Sequence, residues 1–289
     1  MNVKELLDNI LSREGVYRNE QNPFVSTDLI VQENIRVLNE LIEDIVHKNS
    51  LSELLRECAF NTYSQWKPDD YPAGTIVYSG KYRYQNSNNG TSTVNPGELG
   101  LVPGDSYTAS DGMMWTCLGD WNQYPFEYLA SDCAGIDTGT MVNMNQRVPM
   151  QAVNMHQWMT LKASSVAVGT TGIFNIRDKS VYIFPGLADN TPIQFLYFTN
   201  KPVVAADGTR KAKFNNNTDT SLIPDQVLMM GTAYRWLKDK DVGNWAEIEK
   251  EFYEALKQHE AQGQAPQQIS LAGGTLKNVS NYSDGNWVI

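Results

Sequence analysis

The stretch Ile223–His259, "IPDQVLMMGTAYRWLKDKDVGNWAEIEKEFYEALKQH", decides the fold of this chain. From Val227 to Leu237 the only charged residue is Arg235, so the helix predicted there has almost no polar face. A second predicted helix follows at once and is amphipathic, with one apolar stripe formed by Trp245, Ile248, Phe252, Ala255, Leu256 and His259. We expect the first helix to be buried by its neighbours, some of them other copies of the same protein.

The composition is that of a globular protein. The chain has 289 residues, of which 41% are hydrophobic and 19% charged. Its net charge of −10 argues against a general nucleic-acid binder, which normally carries a basic surface, but suits a surface that must not retain DNA. The three cysteines, Cys58, Cys117 and Cys133, are widely spaced and are expected to be free thiols in a reducing compartment.

Neither targeting nor membrane insertion is expected. The N-terminal "MNVKELLDNILSREG" lacks a basic region followed by an apolar run, so it does not resemble a signal peptide. No run approaches the roughly 18 apolar residues of a membrane span.

The N-terminal part of the chain is predicted to be helical. Val3, Leu6, Leu7, Ile10 and Leu11 share one face of a helix over residues 2–14. "STD" at 26–28 offers N-caps for a helix that runs to about Lys48. Ser50 and Glu53 fit a capping box for a third helix, with Leu51, Leu54 and Leu55 inside it.

The middle of the chain is predicted to be antiparallel β. Hairpins are indicated at 75–84 and 172–184, a strand at 193–199 and a turn at Asp207-Gly208. Helices return at Pro224, a favourable residue for a helix start. The predicted fold class is therefore α+β: N- and C-terminal helices that form a helical bundle, a central antiparallel β region and an inserted small β module.

The sequence contains no pattern that favours an enzyme. His47, His156 and His259 lie on three separate elements, and no zinc, nucleophile or phosphate-loop motif is present. Asp69-Asp70 with Asp105 could be imagined as a glycosidase pair, but adjacent carboxylates in a polar loop are more often solvated charges. We expect no catalytic residues, no metal and no cofactor.

One aromatic group allows two interpretations. Trp66, Tyr71, Tyr78, Tyr82 and Trp115 could form a face that stacks on sugar rings, or the core of a module too small to have another. The core interpretation is favoured, and both stay open at the level of sequence. A second aromatic group, in the C-terminal helices, is expected to serve the core and a subunit interface.

The order of the segments resembles the head-to-tail adaptor family of tailed bacteriophages, which includes the podovirus tail accessory factor. The resemblance covers about 1–62 and 126–271. Its pieces are "VKELLDNIL", "VLNELIEDIV" with Asn39, a β region carrying "HQWMTLKA" (156–163), "FNIRDKSVYIFPG" (174–186), "FLYFTNKPVV" (195–204) and "LIPDQVLMMGTAYRWLKDKD". The last piece is the strongest match.

The sequence departs from that family between Trp66 and Trp121. This segment is similar to chitin-binding-type carbohydrate modules and to decoration domains of phage tail proteins. It would be a small β module inserted into the adaptor scaffold. The predicted organisation is an adaptor core (1–65 and 222–262), the inserted module (66–121), the antiparallel β region (122–221) and a flexible C-terminal tail for partner docking (263–289).

The resemblance implies a structural function. Such adaptors assemble as rings, commonly of twelve subunits, that link the portal above to a tail or nozzle protein below. DNA passes through the lumen without specific binding during packaging and ejection. The protein would be made in the host cytoplasm and reside in the virion, at the head-to-tail interface, with no membrane contact. The alternative is a phage tail component whose 66–121 module binds carbohydrate or a host receptor.

The subunit and portal contacts are predicted from two segments. They comprise Tyr234, Arg235 and Trp236 in the apolar helix, and apolar residues of the tail, Ile269, Leu271, Trp287 and Ile289. A lone buried guanidinium needs a partner. The candidates for Arg235 are Asp225, Asp239, Asp241, Glu249 or a carboxylate of the neighbouring subunit.

Overall fold

A computed structural model describes residues 1–16, 22–48, 51–163 and 172–263, with the backbone of 270–271 and 274–275. The fold is mixed α+β, as predicted. Its helices in this part of the chain are α1 (Val3–Arg13), α2 (Leu29–Lys48), α3 (Phe126–Leu129), α4 (Met155–Ala163), α5 (Asp225–Lys240) and α6 (Trp245–Gly263). Short 3-10 turns lie at Pro23–Val25, Ser52–Leu54 and Pro96–Glu98.

The strands are numerous and mostly short. The first half of the chain contains β1 (Leu55–Asn61), β2 (Ser64–Gln65), β3 (Asp69–Tyr71), β4 (Ile76–Ser79), β5 (Tyr82–Asn86), β6 (Gly90–Ser92), β7 (Ser106–Thr108), β8 (Met114–Asp120), β9 (Gln123–Pro125), β10 (Cys133–Ile136) and β11 (Val142–Asn143). The second half contains β12 (Val148–Pro149), β13 (Gln151–Ala152), β14 (Ile173–Arg177), β15 (Ser180–Phe184), β16 (Pro192–Thr199), β17 (Val203–Val204), β18 (Arg210–Lys211), β19 (Thr220–Ser221), β20 (Ser270–Leu271) and β21 (Gly274–Thr275).

The chain divides into two compact units. Unit 1 comprises Met1–Arg56, Asp132–Ile136 and Leu196–Ile289. Unit 2 comprises Glu57–Ser131 and Asp137–Phe195. Each unit therefore draws on segments that are distant in sequence.

The helices of unit 1 begin where side chains cap them. Asn2 accepts a hydrogen bond from the Glu5 N–H, and the Glu5 carboxylate accepts one from the Asn2 N–H, so α1 starts with a capping box. Asp28 accepts from the Ile30 N–H at the start of α2, within the predicted "STD" signal. α5 is terminated by its C-cap residue Asp241, which adopts a left-handed conformation.

Unit 1 has one hydrophobic core to which helices from both chain ends contribute. α5 packs against α1, α2 and α6. Gly231 lets α5 approach side chains of α2 and α6 closely. A Cβ added there would lie 2.6 Å from Leu41 Cδ2 and 2.7 Å from Phe252 Cε2. The buried members of the core include Leu6, Leu7, Ile10, Leu38, Leu41, Ile42, Val227, Leu228, Ala233, Phe252 and Leu256.

The β structure of unit 1 is small. β10 pairs antiparallel with the second half of β16, and β17 pairs with β18 and β19. Gly208 has a positive φ of 83° in the turn between β17 and β18, as the sequence predicted. The buried carboxylate of Asp219 accepts from the Asn215 and Asn216 N–H groups and from Lys211 Nζ, which fixes the loop before β19.

Unit 2 contains a five-stranded sheet in the order β2-β4-β5-β8-β7. The hairpin predicted at 75–84 is confirmed: β4 pairs with β5, with Ser79 opposite Tyr82 and a two-residue turn between them. One face of this sheet covers a separate core formed by Val77, Tyr84, Ala109, Met113, Trp115 and Cys117.

A second sheet of unit 2 has the order β13-β14-β15-β9. The hairpin predicted at 172–184 is present, and its turn residues Asp178 and Lys179 both have positive φ. The strand predicted at 193–199 is β16, whose first half pairs with β11 in this unit. Strand pairing in unit 2 is mostly antiparallel, although β13 runs parallel to β14 and β2 parallel to β4.

Two local expectations are wrong. The third N-terminal helix is absent from the described residues: a 3-10 turn at Ser52–Leu54 leads into strand β1, which neighbours β16. Strand pairing outweighs the local capping signal there. "HQWMTLKA", placed in the β region, lies within α4, and its Trp158 is buried against Tyr182 and Phe184.

Candidate subunit interface

Arg235 on α5 is paired within its own chain. Its guanidinium lies 2.7 Å from Asp44 on α2, and the two side chains are 24% and 54% exposed. Burial lowers the pKa of Arg235, but hydrogen bonds to Asp44 and Tyr234 outweigh this and raise it overall. The intrachain partners expected for this guanidinium, Asp225, Asp239, Asp241 and Glu249, are therefore wrong, because Asp44 forms the ion pair. A contact of Arg235 with a neighbouring subunit stays a prediction.

Trp236 also faces α2. Its indole Nε1–H donates to the Glu33 carboxylate at 3.2 Å, and Lys240 donates to the other oxygen of the same carboxylate at 3.0 Å. These hydrogen bonds lower the pKa of Glu33. In the single chain Trp236 therefore contacts α2, and its predicted contact with a neighbouring subunit or the portal stays a prediction.

Tyr234 completes the predicted set on α5. Its ring lies 5.2 Å from that of Phe252 and 6.4 Å from that of Tyr253, both on α6. Burial is the largest cause of the raised pKa of its hydroxyl. Tyr234, Arg235 and Trp236 thus join α5 to its neighbours in one chain.

The burial of α5 consequently needs no second copy of the protein. Every residue from Val227 to Leu237 except Met229 and Arg235 is buried in the single chain. The absence of a polar face, which led us to expect neighbouring subunits around this helix, is explained by packing within the chain, mainly against α1, α2 and α6.

The partners on α2 were missed by sequence reasoning, although a weak signal exists. Asp44 follows Glu33 by eleven residues, about three turns, so both lie on one side of α2. That spacing places Glu33 and Asp44 on one face of α2, but it does not indicate which helix packs against that face.

The predicted contacts in the tail lie outside what the structure describes. Ile269, Trp287 and Ile289 are not among the described residues, and only the backbone of Leu271, in β20, is described.

The surface of unit 1 offers other apolar side chains. Val25 and Leu29, at the start of α2, are 73% and 79% exposed. Val242 and Tyr253, after α5 and on α6, are about half exposed. These four are the large exposed apolar residues of the described part of unit 1 beyond Met1.

The aromatic group of the 66–121 segment is mainly core. Trp115 has no exposed surface, and the Tyr71 ring meets its edge at 5.6 Å. Trp66 and Tyr82 are partly buried against the same cluster. Trp115 therefore cannot stack on a sugar, which removes it from the proposed carbohydrate face.

Tyr78 lies outside that cluster. Its ring stacks on Trp121 at 4.7 Å, and its hydroxyl bonds the Asp189 carboxylate at 2.9 Å. Trp121 in turn covers Gly186 so closely that a Cβ there would lie 1.5 Å from the indole. Tyr78 thus helps to join the segment to the 184–190 loop of unit 2.

The 66–121 segment also contains a buried cation, which bonds the residues around its end. Arg83 on β5 is 5% exposed and donates to the carbonyls of Asp120 and Gln123 at 2.7 and 2.8 Å. Carbonyl groups satisfy this guanidinium, which sequence reasoning did not single out.

A cleft of about 530 Å³ lies beside β14 and the start of α4. The described residues that line it are mostly apolar and include no carboxylate, histidine or cysteine. Arg177, the charged residue among them, stacks on the Tyr182 ring at 3.9 Å. These described residues therefore do not supply the acid–base pair that a catalytic site needs.

The three histidines remain apart. His259 bonds Glu53 at 3.0 Å, His47 lies 3.9 Å from Glu43, and His156 is exposed on α4. Among the described residues no group of three or more His, Cys, Asp or Glu side chains is placed to hold a metal ion. The helices in this part of the chain include none with the length and apolar character of a membrane span.

Comparison with protein-family models and with curated proteins found no match to this chain.

Proposed function

We propose that the chain is a structural head-to-tail adaptor of a tailed phage. It assembles as a ring, of twelve subunits by the family resemblance, beneath the portal, links the capsid to a tail or nozzle protein, and continues the DNA channel. It has no catalytic role and needs no cofactor.

One observation supports this proposal most. α1 and α2, from the N-terminal end, share a core with α5 and α6, from the C-terminal end, while the β-rich middle lies between them in sequence. This order is the one by which the sequence resembles the adaptor family. We interpret the four helices as the helical bundle of an adaptor, with the 66–121 segment as an inserted module.

The charge is consistent with a channel. We propose that part of the net charge of −10 lies on the lumen wall, where it would repel phosphate and let DNA slide past. In the virion, the protein would sit at the head-to-tail interface, where no membrane contact is needed.

A ring needs two different, complementary surfaces on each subunit. Arg235 and Trp236 already have partners inside the chain, so they support the subunit fold. Val25 and Leu29 are better placed for contact with another subunit or the portal, because about three quarters of their surface is exposed.

The inserted module is proposed to be a decoration or a contact to another virion protein. A carbohydrate-binding tail component is the alternative, but the burial of Trp115 and the stacking of Tyr78 on Trp121 leave few aromatic faces for a sugar.

Sedimentation of the purified chain, alone and mixed with its portal protein, tests the proposal. We expect a monomer or small oligomer alone and a stoichiometric complex with the portal. A variant that lacks 264–289 should keep the unfolding midpoint of the full chain but lose portal binding, because that polar segment carries Ile269, Leu271, Trp287 and Ile289. A full-length chain that never binds the portal would refute the proposal; normal binding by the truncated chain would refute only the role of the tail.

A further inference from the structure

Glu14 and Asn34 form an isolated polar pair between α1 and α2. Glu14 is the C-cap of α1, and its Oε2 accepts a hydrogen bond from Asn34 Nδ2 at 3.0 Å. Asn34 is completely buried. Its Nδ2 also donates to the Ile30 carbonyl at 3.2 Å. Both amide hydrogens are thus used, and this fixes the orientation of the amide: the reverse orientation would put its oxygen against two acceptors.

Two oxygens are then left without donors. Glu14 Oε1 and Asn34 Oδ1 are both buried and have no hydrogen-bond partner. An unsatisfied buried polar atom is destabilising, and here two acceptors belong to groups that already share one hydrogen bond. One proton on Glu14 Oε1 supplies the missing donor for Asn34 Oδ1.

We propose that Glu14 is a neutral carboxylic acid in the native fold and forms a cyclic acid–amide pair with Asn34, which acts as a pH-sensitive lock between the end of α1 and α2. In this pair Asn34 Nδ2–H donates to Glu14 Oε2, and Glu14 Oε1–H donates to Asn34 Oδ1. On deprotonation the proton leaves to solvent, and Glu14 Oε1 and Asn34 Oδ1 are then both buried acceptors without a donor.

The surrounding charges favour the neutral form. The charge of Glu33 on α2 raises the pKa of Glu14, and Glu33 is an anion already held by Lys240 and Trp236 of α5. Arg13, next to Glu14 on α1, is engaged with Glu251 of α6 at 3.3 Å. No cation is therefore directed at Glu14 from the described helices that pack around it.

The electrostatics agree with this geometry. Burial, opposed by the Asn34 hydrogen bond and reinforced by Glu33, raises the pKa of Glu14 from an ordinary 4.5 to about 8. Because the folded pKa is the higher one, the lock is fully formed at low pH. Its contribution falls as pH rises from the unfolded value towards about 8, by up to tenfold in the folding equilibrium constant per pH unit.

The first test is a carboxyl carbon NMR titration of the full chain, with Glu14 assigned by comparison with Glu14→Gln. We expect the Glu14 resonance to keep its protonated shift at pH 6.5 and to move only near pH 8. A midpoint near the ordinary value of 4.5 would overturn the proposal, and this result can be read from the wild-type protein alone.

The second test follows stability against pH. Glu14→Gln places an amide where the acid was, so it keeps the cyclic pair but cannot lose the proton. We expect its folding equilibrium constant, relative to wild type, to increase several-fold to tenfold per unit between pH 5.5 and 7.5. Glu254→Gln, a change at an exposed position on α6, is the control and should show no such trend. Equal pH profiles for wild type and Glu14→Gln would overturn the proposal.

Discussion

Gly231→Ala is the smallest change that tests how α5 is packed. The added Cβ would lie 2.6 Å from Leu41 Cδ2 and 2.7 Å from Phe252 Cε2, distances at which something must move. Leu41 is fully buried and Phe252 is 3% exposed, so neither side chain has free space to enter.

The sign of the effect distinguishes a packed helix from an exposed one. In an exposed helix, alanine is more favourable than glycine by about 1 kcal/mol. Overpacking a filled core costs about 1–3 kcal/mol. The overpacking cost exceeds the gain in helix propensity, so Gly231→Ala should lower the free energy of unfolding by about 1 kcal/mol instead of raising it.

Urea unfolding followed by helical circular dichroism measures this effect, since most helical residues belong to unit 1. With a slope of about 2 kcal/mol/M, the midpoint should fall by about 0.5 M. Asp239→Ala, at an exposed position near the end of α5, is the control and should be neutral or slightly stabilising. A midpoint raised by Gly231→Ala would refute the close packing of α5 against α2 and α6.

Two further predictions concern a charge pair and the inserted module. The pairs Arg235–Asp44 and Arg36–Glu40 have the same 2.7 Å separation, but both side chains of the second are more than half exposed. Double-mutant cycles should give a coupling energy of about 1–2 kcal/mol for Arg235–Asp44 and about 0.3–0.5 kcal/mol for Arg36–Glu40. Equal coupling energies would show that the burial of Arg235 does not strengthen its ion pair. Trp115→Ala should lower the stability of unit 2 by about 3–5 kcal/mol, and soluble glycans should not protect native tryptophan from chemical modification. Glycan binding that is lost in a folded Trp115→Ala variant would contradict the core role.

The sequence predicted elements best where local signals and burial agree. The stripe of α6 is an example: Phe252, Ala255 and Leu256 are buried as the helical period requires. The start of α2 was also predicted, because Asp28 both signals and makes the cap. At Ser52–Leu54 a capping pattern instead precedes a strand, since the partner strand β16 lies far away in sequence.

The candidate interface was less predictable for a related reason. The composition of α5 shows that it is buried, but not by what, and α2 lies almost two hundred residues earlier in the chain. The partners of Arg235 and Trp236 are set by helix packing, which no local spacing encodes. The unsatisfied oxygens of Glu14 and Asn34 likewise become visible only when two helices meet.

Electron microscopy of the full-length protein mixed with its portal tests the adaptor proposal most directly. We predict class averages with an added ring, coaxial with the portal and carrying one subunit of this chain per repeat, around a lumen wide enough for duplex DNA. Portal particles that stay bare at saturating protein concentration, or that bind isolated copies at irregular positions, would contradict it.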